Sequence, residues 1–366
     1  MTQKERLKWL ELSLAGNLLQ RDLYLLYQLY GDPGKILNAD KQELKSVIGP
    51  RAINDVTGKK TLDEELNKMK STCTRMVFIE DEEYPVLLKE IKNPPLFLRV
   101  RGKIPENSER IIAVVGTRKA SSYGRSVCIL FSKQISERKF TVVSGLARGI
   151  DTIAHNAVLE ENNQTVAVMG CGCDVIYPRE NGKLVERIIR SGAVISEYPM
   201  GTPPSKYHFP ERNRIISGMS CGVLVVEAPQ KSGALITASF AADQGRDVWT
   251  VCGSIYDKNY KGCHSLIKDG AKLCESIDDI MSEINLPGLG NDKESENKTE
   301  MNVLTEHEAL IYKTIGWHPV TIDLIRKETG YEMSEIYRVL TNLEINGFIK
   351  STTGGKFIRL KELNLL

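Results

Sequence analysis

Two glycine-rich segments, each followed by a predicted helix, have the residue types of an anion-binding loop. The first contains Gly116, Thr117 and Arg118, and the second contains Ser144 and Gly145 with an arginine three residues further on. Glycine lets the backbone approach a ligand closely, a helix N-terminus directs N–H groups at a negative charge, and arginine can bind phosphate through two hydrogen bonds. The spacing matches neither G-x-G-x-x-G nor the P-loop. One such segment could be an ordinary turn, but two on successive predicted strands favour an anion site.

A third segment, residues 202–214, alternates cations with aromatic rings. Proteins that bind single-stranded nucleic acid need this mixture, because cations bind phosphates and any base can stack on an aromatic face. The alternative is a rigid proline-rich loop whose aromatic rings pack on the protein, and for Tyr207 a core position is a serious alternative. The residue types of this segment single out Lys206, Phe209, Arg212 and Arg214 as candidate binding residues, with Asn213 between the two arginines.

Evidence for catalysis is weak along the whole chain. Nucleotide-cleaving enzymes with a similar order of strands carry a Gly-Thr-x-x-Glu element, whereas this chain has Thr237 followed by Ala-Ser-Phe. Glu227 is a single acid without a partner carboxylate, which is a weak indication of hydrolysis. Asp151 is interpreted as a residue of a helix N-terminus and His155 as a core histidine. We therefore predict a protein that is not an enzyme and has no catalytic residues.

The elements that position these segments alternate between strands and helices. Continuous apolar runs predict buried parallel strands at 111–115, 141–144, 165–169, 193–196, 223–226 and 248–251. Helices are predicted between them at 123–138, 150–161, 181–190, 212–218 and 234–244. This alternation predicts an α/β fold with a doubly wound, Rossmann-like parallel sheet, which binds ligands at the carboxyl ends of its strands.

Four regions are predicted along the chain. Residues 1–75 form a small helical domain, SAM/helix-hairpin-helix-like at Gly49-Pro50, although these two residues could simply end one helix and start the next. Residues 76–285 form the Rossmann-like domain, and 286–302 form a polar linker. Residues 303–366 predict three helices and a hairpin, which is a winged-helix domain.

Composition limits the classes of function. The chain has 366 residues with 49 basic and 47 acidic side chains, a net charge of +2, so a histone-like protein is excluded and any nucleic-acid site is a local patch. The sequence has no apolar run of 18 residues and no signal-peptide pattern at its start, so we expect a cytoplasmic protein without a membrane partner. Eight cysteines include one close pair, Cys171 and Cys173, with no second pair, which predicts reduced thiols and neither a metal nor a cofactor.

Four motifs together resemble the DprA (Smf) family of bacterial DNA-processing proteins. They are AVVGTRKASSYG (113–124), VVSGLARGIDTIAH (142–155), SEYPMGTPPSKYHFPERNRIISG (196–218) and EAPQKSGALITA (227–238). The resemblance implies a homodimer that binds single-stranded DNA without base specificity, protects incoming DNA and loads the RecA recombinase in natural transformation. It implies DNA contacts from the Gly116-Thr117-Arg118 motif and from Lys206 and Phe209, with Ser144, Gly145 and residues 212–214 lining the same pocket.

Two other functions compete with this one. The first is cleavage of a nucleotide or nucleotide sugar in the same pocket, against which the missing carboxylate argues. The second is transcriptional regulation through the winged helix. That function needs a basic recognition helix, but 334–346 offers Arg338 against Glu335 and Glu344.

Overall fold

A computed structural model describes residues 1–14, 18–39, 41–49, 62–106, 109–284, 304–317, 319–352 and 354–359. The chain divides into two compact units, Met1–Asn285 and Leu286–Leu366. The predicted linker at 286–302 lies outside the described residues, as does Pro50 of the predicted helix-hairpin-helix turn.

The first unit is built on a mostly parallel sheet of nine described strands. In chain order these are β1 (Arg75–Phe78), β2 (Phe97–Gly102), β3 (Ile111–Val115), β4 (Thr141–Ser144), β5 (Thr165–Met169), β6 (Ala193–Ser196), β7 (Gly222–Val225), β8 (Asp247–Thr250) and β9 (Lys272–Leu273). Their order across the sheet is β1-β2-β6-β5-β4-β3-β7-β8-β9. β1 and β2 are antiparallel additions at one edge, and the seven strands from β6 to β9 run parallel.

Helices cover the sheet, as parallel strands buried on both faces require. The first five precede it: α1 (Gln3–Leu14), α2 (Gln20–Tyr30), α3 (Pro33–Asn38), α4 (Lys41–Ile48) and α5 (Leu62–Ser71). The others alternate with the strands: α6 (Val86–Lys89), α7 (Ser122–Glu137), α8 (Ile150–Glu160), α9 (Gly182–Ser191), α10 (His208–Gly218), α11 (Ala234–Asp243), α12 (Lys261–Lys268) and α13 (Ile277–Met281). Single 3-10 turns occupy Arg179–Asn181 and Lys258–Tyr260.

The strand order places β3 at the centre of the seven parallel strands. β4, β5 and β6 follow it on one side, and β7, β8 and β9 follow on the other. The chain therefore reverses its direction of winding at β3, and the loops that leave β3 and its neighbours open toward a common crevice. The predicted doubly wound sheet is confirmed, and each of its six predicted strands is present within one residue of its expected bounds.

The N-terminal helices share a hydrophobic core with the edge of the sheet. Trp9 of α1 and Leu23 of α2 belong to the same buried cluster as Phe78 of β1 and Phe97 of β2. The rings of these two phenylalanines are 4.9 Å apart. The helices and the sheet thus lie within one compact unit, and the predicted domain boundary at residue 75 stays a prediction.

The described part of the second unit consists of three helices and a small sheet, as predicted for a winged-helix domain. Its elements are α14 (Glu306–Thr314), β10 (Val320–Thr321), α15 (Ile322–Thr329), α16 (Met333–Ile345), β11 (Ile349–Thr352) and β12 (Lys356–Arg359). The three strands form one sheet in the order β10-β12-β11. Ile325, Ile336 and Leu340 are buried in its separate core.

The cysteines are free thiols, as the sequence predicts. Cys171 and Cys173 are both buried, and burial raises the pKa of Cys171 to about 11 and that of Cys173 to about 12. Within the described residues, no group of three potential metal-ligating side chains comes together. The described helices include none with the length and apolar character needed to cross a bilayer.

Candidate nucleic-acid interface

A cleft of about 690 Å³ lies at the carboxyl ends of the parallel strands. It collects the loops that follow β3, β4, β5, β6 and β7, together with the first turns of α10 and α11. These segments are far apart in sequence, but parallel strands all end at the same edge of their sheet. The predicted location of the site is therefore where this cleft lies.

Four exposed cations line this cleft: Arg118, Lys119, Lys206 and Lys231. Among the described residues, none of the four has a carboxylate within 4.0 Å. Cations that are not neutralised by the protein can attract and bind a phosphate backbone. Because the whole chain is nearly neutral, any nucleic-acid site has to be a local cluster of cations, and such a cluster is present at this edge of the sheet.

Aromatic rings stand beside these cations. The ring of Phe209 is half-buried, with its centroid 5.4 Å from that of Tyr177 and 5.4 Å from the guanidinium carbon of Arg118. A Cβ at Gly170 would approach the Phe209 ring to 2.9 Å, so the glycine makes room for it. Tyr207 is 73% exposed, which corrects the suggestion that it belongs to the core. The cleft therefore offers a cation and two rings in mutual contact.

Helix α10 begins earlier than the sequence predicts, and it therefore includes Phe209. The predicted start is residue 212, but the helix begins at His208 and includes Pro210 in its first turn. Proline is tolerated there because the first N–H groups of a helix have no intrahelical partner. The early start places Phe209 and Arg212 on one short rigid element.

Arg212 lies in the floor of the cleft and is only 4% exposed. Its Nη1 donates to the carbonyl of Gly145 at 2.7 Å and to the carbonyl of Val168. A Cβ at Gly145 would lie 2.6 Å from Nη2, so only glycine allows this approach. Burial lowers the pKa of Arg212. Arg212 thus fixes the ends of β4 and β5 in place, which is a positioning role that the sequence did not predict.

Asp151 also lines the cleft and holds the loop after β4. Its Oδ2 accepts the N–H groups of Gly145 and Ala147, both at 3.2 Å. Burial raises the pKa of this carboxyl to about 6, although the nearby Arg212 guanidinium lowers it. Ser144 is fully buried outside the cleft lining, and its hydroxyl donates to the carbonyl of Val114 at 2.7 Å. The structure therefore places Ser144 beneath the site.

The predicted Arg-Asn-Arg run is divided by the geometry of α10. Asn213 lines the cleft, and its Nδ2 donates to the carbonyl of Gly233 at 3.4 Å. Arg214 does not reach the cleft, because its guanidinium donates to the Asn93 carbonyl at 2.8 Å and pairs with the carboxylate of Glu197. Successive residues of a helix point about 100° apart, so three neighbours in sequence cannot share one face. The expectation that Arg214 lines the same pocket is wrong.

The first glycine-rich loop packs directly on the second. Thr117 donates its N–H to the Glu227 carbonyl at 2.7 Å, and its own carbonyl accepts the Ile150 N–H at 3.1 Å. Gly149 has a φ of +75°, and a Cβ there would come within 2.2 Å of the Thr117 carbonyl oxygen. Gly116 is packed closely against the same neighbouring segments. The backbone from which Arg118 extends into the cleft is therefore held in place.

Glu227 and His155 are engaged away from the cleft. The Glu227 carboxylate is buried and accepts the N–H and hydroxyl of Ser121, both at 3.0 Å, at the start of α7. His155 is fully buried with its Nδ1 2.7 Å from the Thr165 hydroxyl, and burial lowers its pKa to about 3. Both side chains therefore support the fold.

Three cleft residues were not singled out from the sequence: Lys119, Lys231 and Tyr177. Lys119 follows Arg118 directly, and Lys231 follows the end of β7, so the rule that strand ends share an edge could have identified both. Tyr177 lies eight residues beyond β5, and no local pattern marks it.

Comparisons with known proteins agree with this architecture. The family model described as DNA recombination-mediator protein A matches residues 75–285, and the DprA winged helix domain matches 298–355. Protein Smf of Escherichia coli K12 is 35% identical over 308 residues, which cover 83% of this chain and 82% of that protein.

Two solved structures are similar to this chain. DNA processing protein A from Streptococcus pneumoniae matches with a TM-score of 0.65 and 34% identity, over 76% of this chain and 99% of its own. The protein of the same name from Helicobacter pylori, whose structure describes a single-stranded DNA binding mode, matches with a TM-score of 0.51 and 25% identity. That match covers 57% of this chain and 94% of its own.

Proposed function

Because the chain belongs to the DNA recombination-mediator protein A (DprA/Smf) family, we propose that its cleft binds single-stranded DNA without sequence specificity. The observation that carries this proposal is the set of exposed cations beside the contact of Arg118, Phe209 and Tyr177. Phosphates bind the cations, and bases stack on the rings, a combination that reads no base edge. The Helicobacter pylori relative, which binds single-stranded DNA, supports the same ligand here.

In this proposal each predicted site residue has one of two roles. Arg118, Lys206 and Asn213 contact the strand, and Phe209 stacks on a base. The shape of the loops depends on Gly116, Thr117, Gly145 and Arg212. Two buried residues outside the cleft lining, Ser144 and Arg214, support the fold around the site.

The wider function proposed for the chain follows the resemblance to the family. The bound strand is protected as incoming DNA in the cytoplasm, and a homodimer of this chain loads the RecA recombinase onto it in natural transformation. The winged helix then acts as an accessory or protein-contact module.

The main competing function is cleavage of a nucleotide or nucleotide sugar in the same cleft. The engagement of Glu227 with Ser121 argues against it, because a carboxylate bound at the start of α7 is not placed to assist an attacking water. Asp151, the acid that does line the cleft, already accepts two backbone N–H groups.

One titration tests the proposal against its alternatives. We expect full-length protein to bind single-stranded oligonucleotides more tightly than duplexes, with affinities similar for thymine and adenine tracts and weaker at higher salt. A preference for duplex would move the function toward the winged helix. Release of free base from nucleoside monophosphates would establish the enzymatic alternative instead.

A further inference from the structure

Helix α9 carries a row of cations on its exposed face. Lys183, Arg187 and Arg190 are all exposed and are spaced four and three residues apart, which puts them on one side of a helix. The opposite side, with Leu184 and Ile188, is buried against the sheet. The row therefore sits on an element whose position is fixed by its packing.

This row is continuous with the cleft. Tyr177 lines the cleft, and the chain then passes through the 3-10 turn Arg179–Asn181 into the first residue of α9, Gly182. α9 thus begins at the cleft edge of the sheet and runs back along its face. Lys183 and Arg190 are separated by about 10 Å along the helix axis at 1.5 Å per residue, so the row is long enough to contact neighbouring phosphates of one strand.

The carboxylates that flank the row are engaged elsewhere. Glu186 on α9 pairs with Arg101 of β2 at 3.5 Å, and Glu180 of the 3-10 turn pairs with Arg148. Glu161, which directly follows α8, pairs with Lys133.

One more acid, Glu160 of α8, is exposed and lines a groove together with Asn156, whose side chain accepts a hydrogen bond from Arg187. Across the described residues, no carboxylate lies within 4.0 Å of Lys183, Arg187 or Arg190, and Arg187 donates only to the side-chain carbonyl of Asn156. The row keeps its positive charge.

We propose that a single strand leaving the cleft past Tyr177 continues along α9, with its phosphates on Lys183, Arg187 and Arg190. The occupant is the DNA strand itself, since the row offers cations without exposed aromatic rings and suits a backbone more than bases. This inference rests on the proposed function, and it extends the binding site to a second, purely electrostatic segment.

The test uses full-length protein in which Lys183, Arg187 and Arg190 are all changed to Gln. A matched control changes Lys4, Lys35 and Lys68 to Gln, which removes the same charge from exposed positions on the N-terminal helices. Affinities are measured for oligothymidylates of about 6 and about 24 nucleotides, chosen around the usual site size of single-strand binding folds.

We expect the α9 variant to bind the short oligonucleotide as the wild type does and to bind the long one less tightly. Three lost contacts should lower the salt slope of log K for the long strand by about 2, so that between about 50 and 200 mM salt the wild type loses about 20-fold more affinity than the variant. A variant in which Arg187 and Arg190 become Lys should keep the wild-type slope.

Other results would overturn the inference. They are an unchanged affinity for the long strand, an equal loss for both lengths, an equal loss in the control, or a loss for duplex alone. If the wild type binds neither oligonucleotide, the proposed function itself falls and this inference falls with it.

Discussion

Arg118 is an exposed cation of the cleft, and its guanidinium lies over the ring of Phe209. We expect Arg118→Ala to weaken binding of single-stranded DNA without lowering thermal stability. The loss of one phosphate contact should reduce the salt slope of log K by about 0.7 for a single strand. Arg125→Ala, which removes an exposed arginine of α7 outside the cleft, serves as the control. An unchanged affinity and slope in the Arg118 variant would remove this residue from the site.

Phe209 tests whether stacking contributes. Phe209→Ala should cost about 1–3 kcal/mol of binding free energy, equally for thymine and adenine tracts, because stacking does not distinguish base edges. The ring also contacts Tyr177, so the melting temperature has to be measured on the same variant. A fall in melting temperature with unchanged affinity of the folded protein would mean that the ring serves the fold.

Asp151 makes stability depend on pH in a direction that can be calculated. Its pKa rises from 3.8 to about 6 on folding because the carboxyl is buried, so the folded state binds a proton that the unfolded state does not. The resulting stabilisation is complete below about pH 3.8 and is lost as the pH rises through about 6. Relative to Asp151→Asn, the wild type should gain about 1 kcal/mol of unfolding free energy between about pH 7.5 and pH 5. Parallel pH profiles for the two proteins would show that this carboxyl does not titrate as described.

The sequence predicts which segments form the site, but it does not predict the role of each residue within them. Arg118, Lys206 and Phe209 are predicted from residue type and Asn213 from the family resemblance, and all four line the cleft. Arg214 was assigned with its neighbours, but its direction depends on helix phase, and α10 starts four residues before its predicted start.

At the scale of elements, a buried ion pair joins the N-terminal helices to the sheet. Arg99 of β2 and Glu65 of α5 pair at 2.6 Å with both side chains fully buried. Glu65 also accepts the N–H of Met200 in the loop that leads to α10, at 3.0 Å, and Arg99 donates to the Glu197 carbonyl at 3.2 Å. The network thus fixes the start of the segment that carries Lys206 and Phe209.

Removing one partner of this pair should be worse than removing both. Glu65→Ala leaves the Arg99 guanidinium buried without its carboxylate, which should cost about 3–5 kcal/mol of unfolding free energy. The double variant Glu65→Leu with Arg99→Met should recover stability, because apolar side chains of similar size need no counter-charge. Denaturant midpoints measure both, and a double variant less stable than the single one would contradict the expectation.

The parallel strands β3 to β8 were predicted from the sequence, and the edge strands were not. For β2, the ion pair between Arg99 and Glu65 gives the reason. β3 to β8 are short apolar runs between helices, so their composition alone identifies them. β2 reads Phe-Leu-Arg-Val-Arg-Gly, and a fully buried arginine at position 99 is possible only because Glu65 comes from a helix 34 residues away. No local pattern carries that information, and β9, with two residues, is too short to carry any.

At the scale of the whole molecule, the winged-helix region carries no surplus of positive charge. Residues 301–366 contain eight basic and eight acidic side chains. One of these bases, Arg359, donates to the carbonyls of Ile315 and Tyr312 at 2.9 Å and lies over the Tyr312 ring. A module with so little surplus charge releases few counterions from DNA.

Truncation near Lys293 should therefore leave the affinity for single-stranded DNA nearly unchanged. The measurement compares the truncated and full-length proteins at one salt concentration, with a thermal melt to show that the remaining unit is folded. Loss of binding in a folded truncated protein would place the DNA site in the winged helix.

The uncompensated cations of the cleft also bear on how a partner arrives. The net charge of the chain is only +2, but the cleft holds Lys119, Lys206 and Lys231 together with Arg118. Positive charge is therefore concentrated at one edge of the sheet in a molecule that is nearly neutral as a whole. A polyanion diffusing nearby is then turned toward that edge before any contact forms, and such steering raises the association rate at low ionic strength. Added salt should accordingly slow capture of a strand more than it shortens the lifetime of the complex once the rings have engaged.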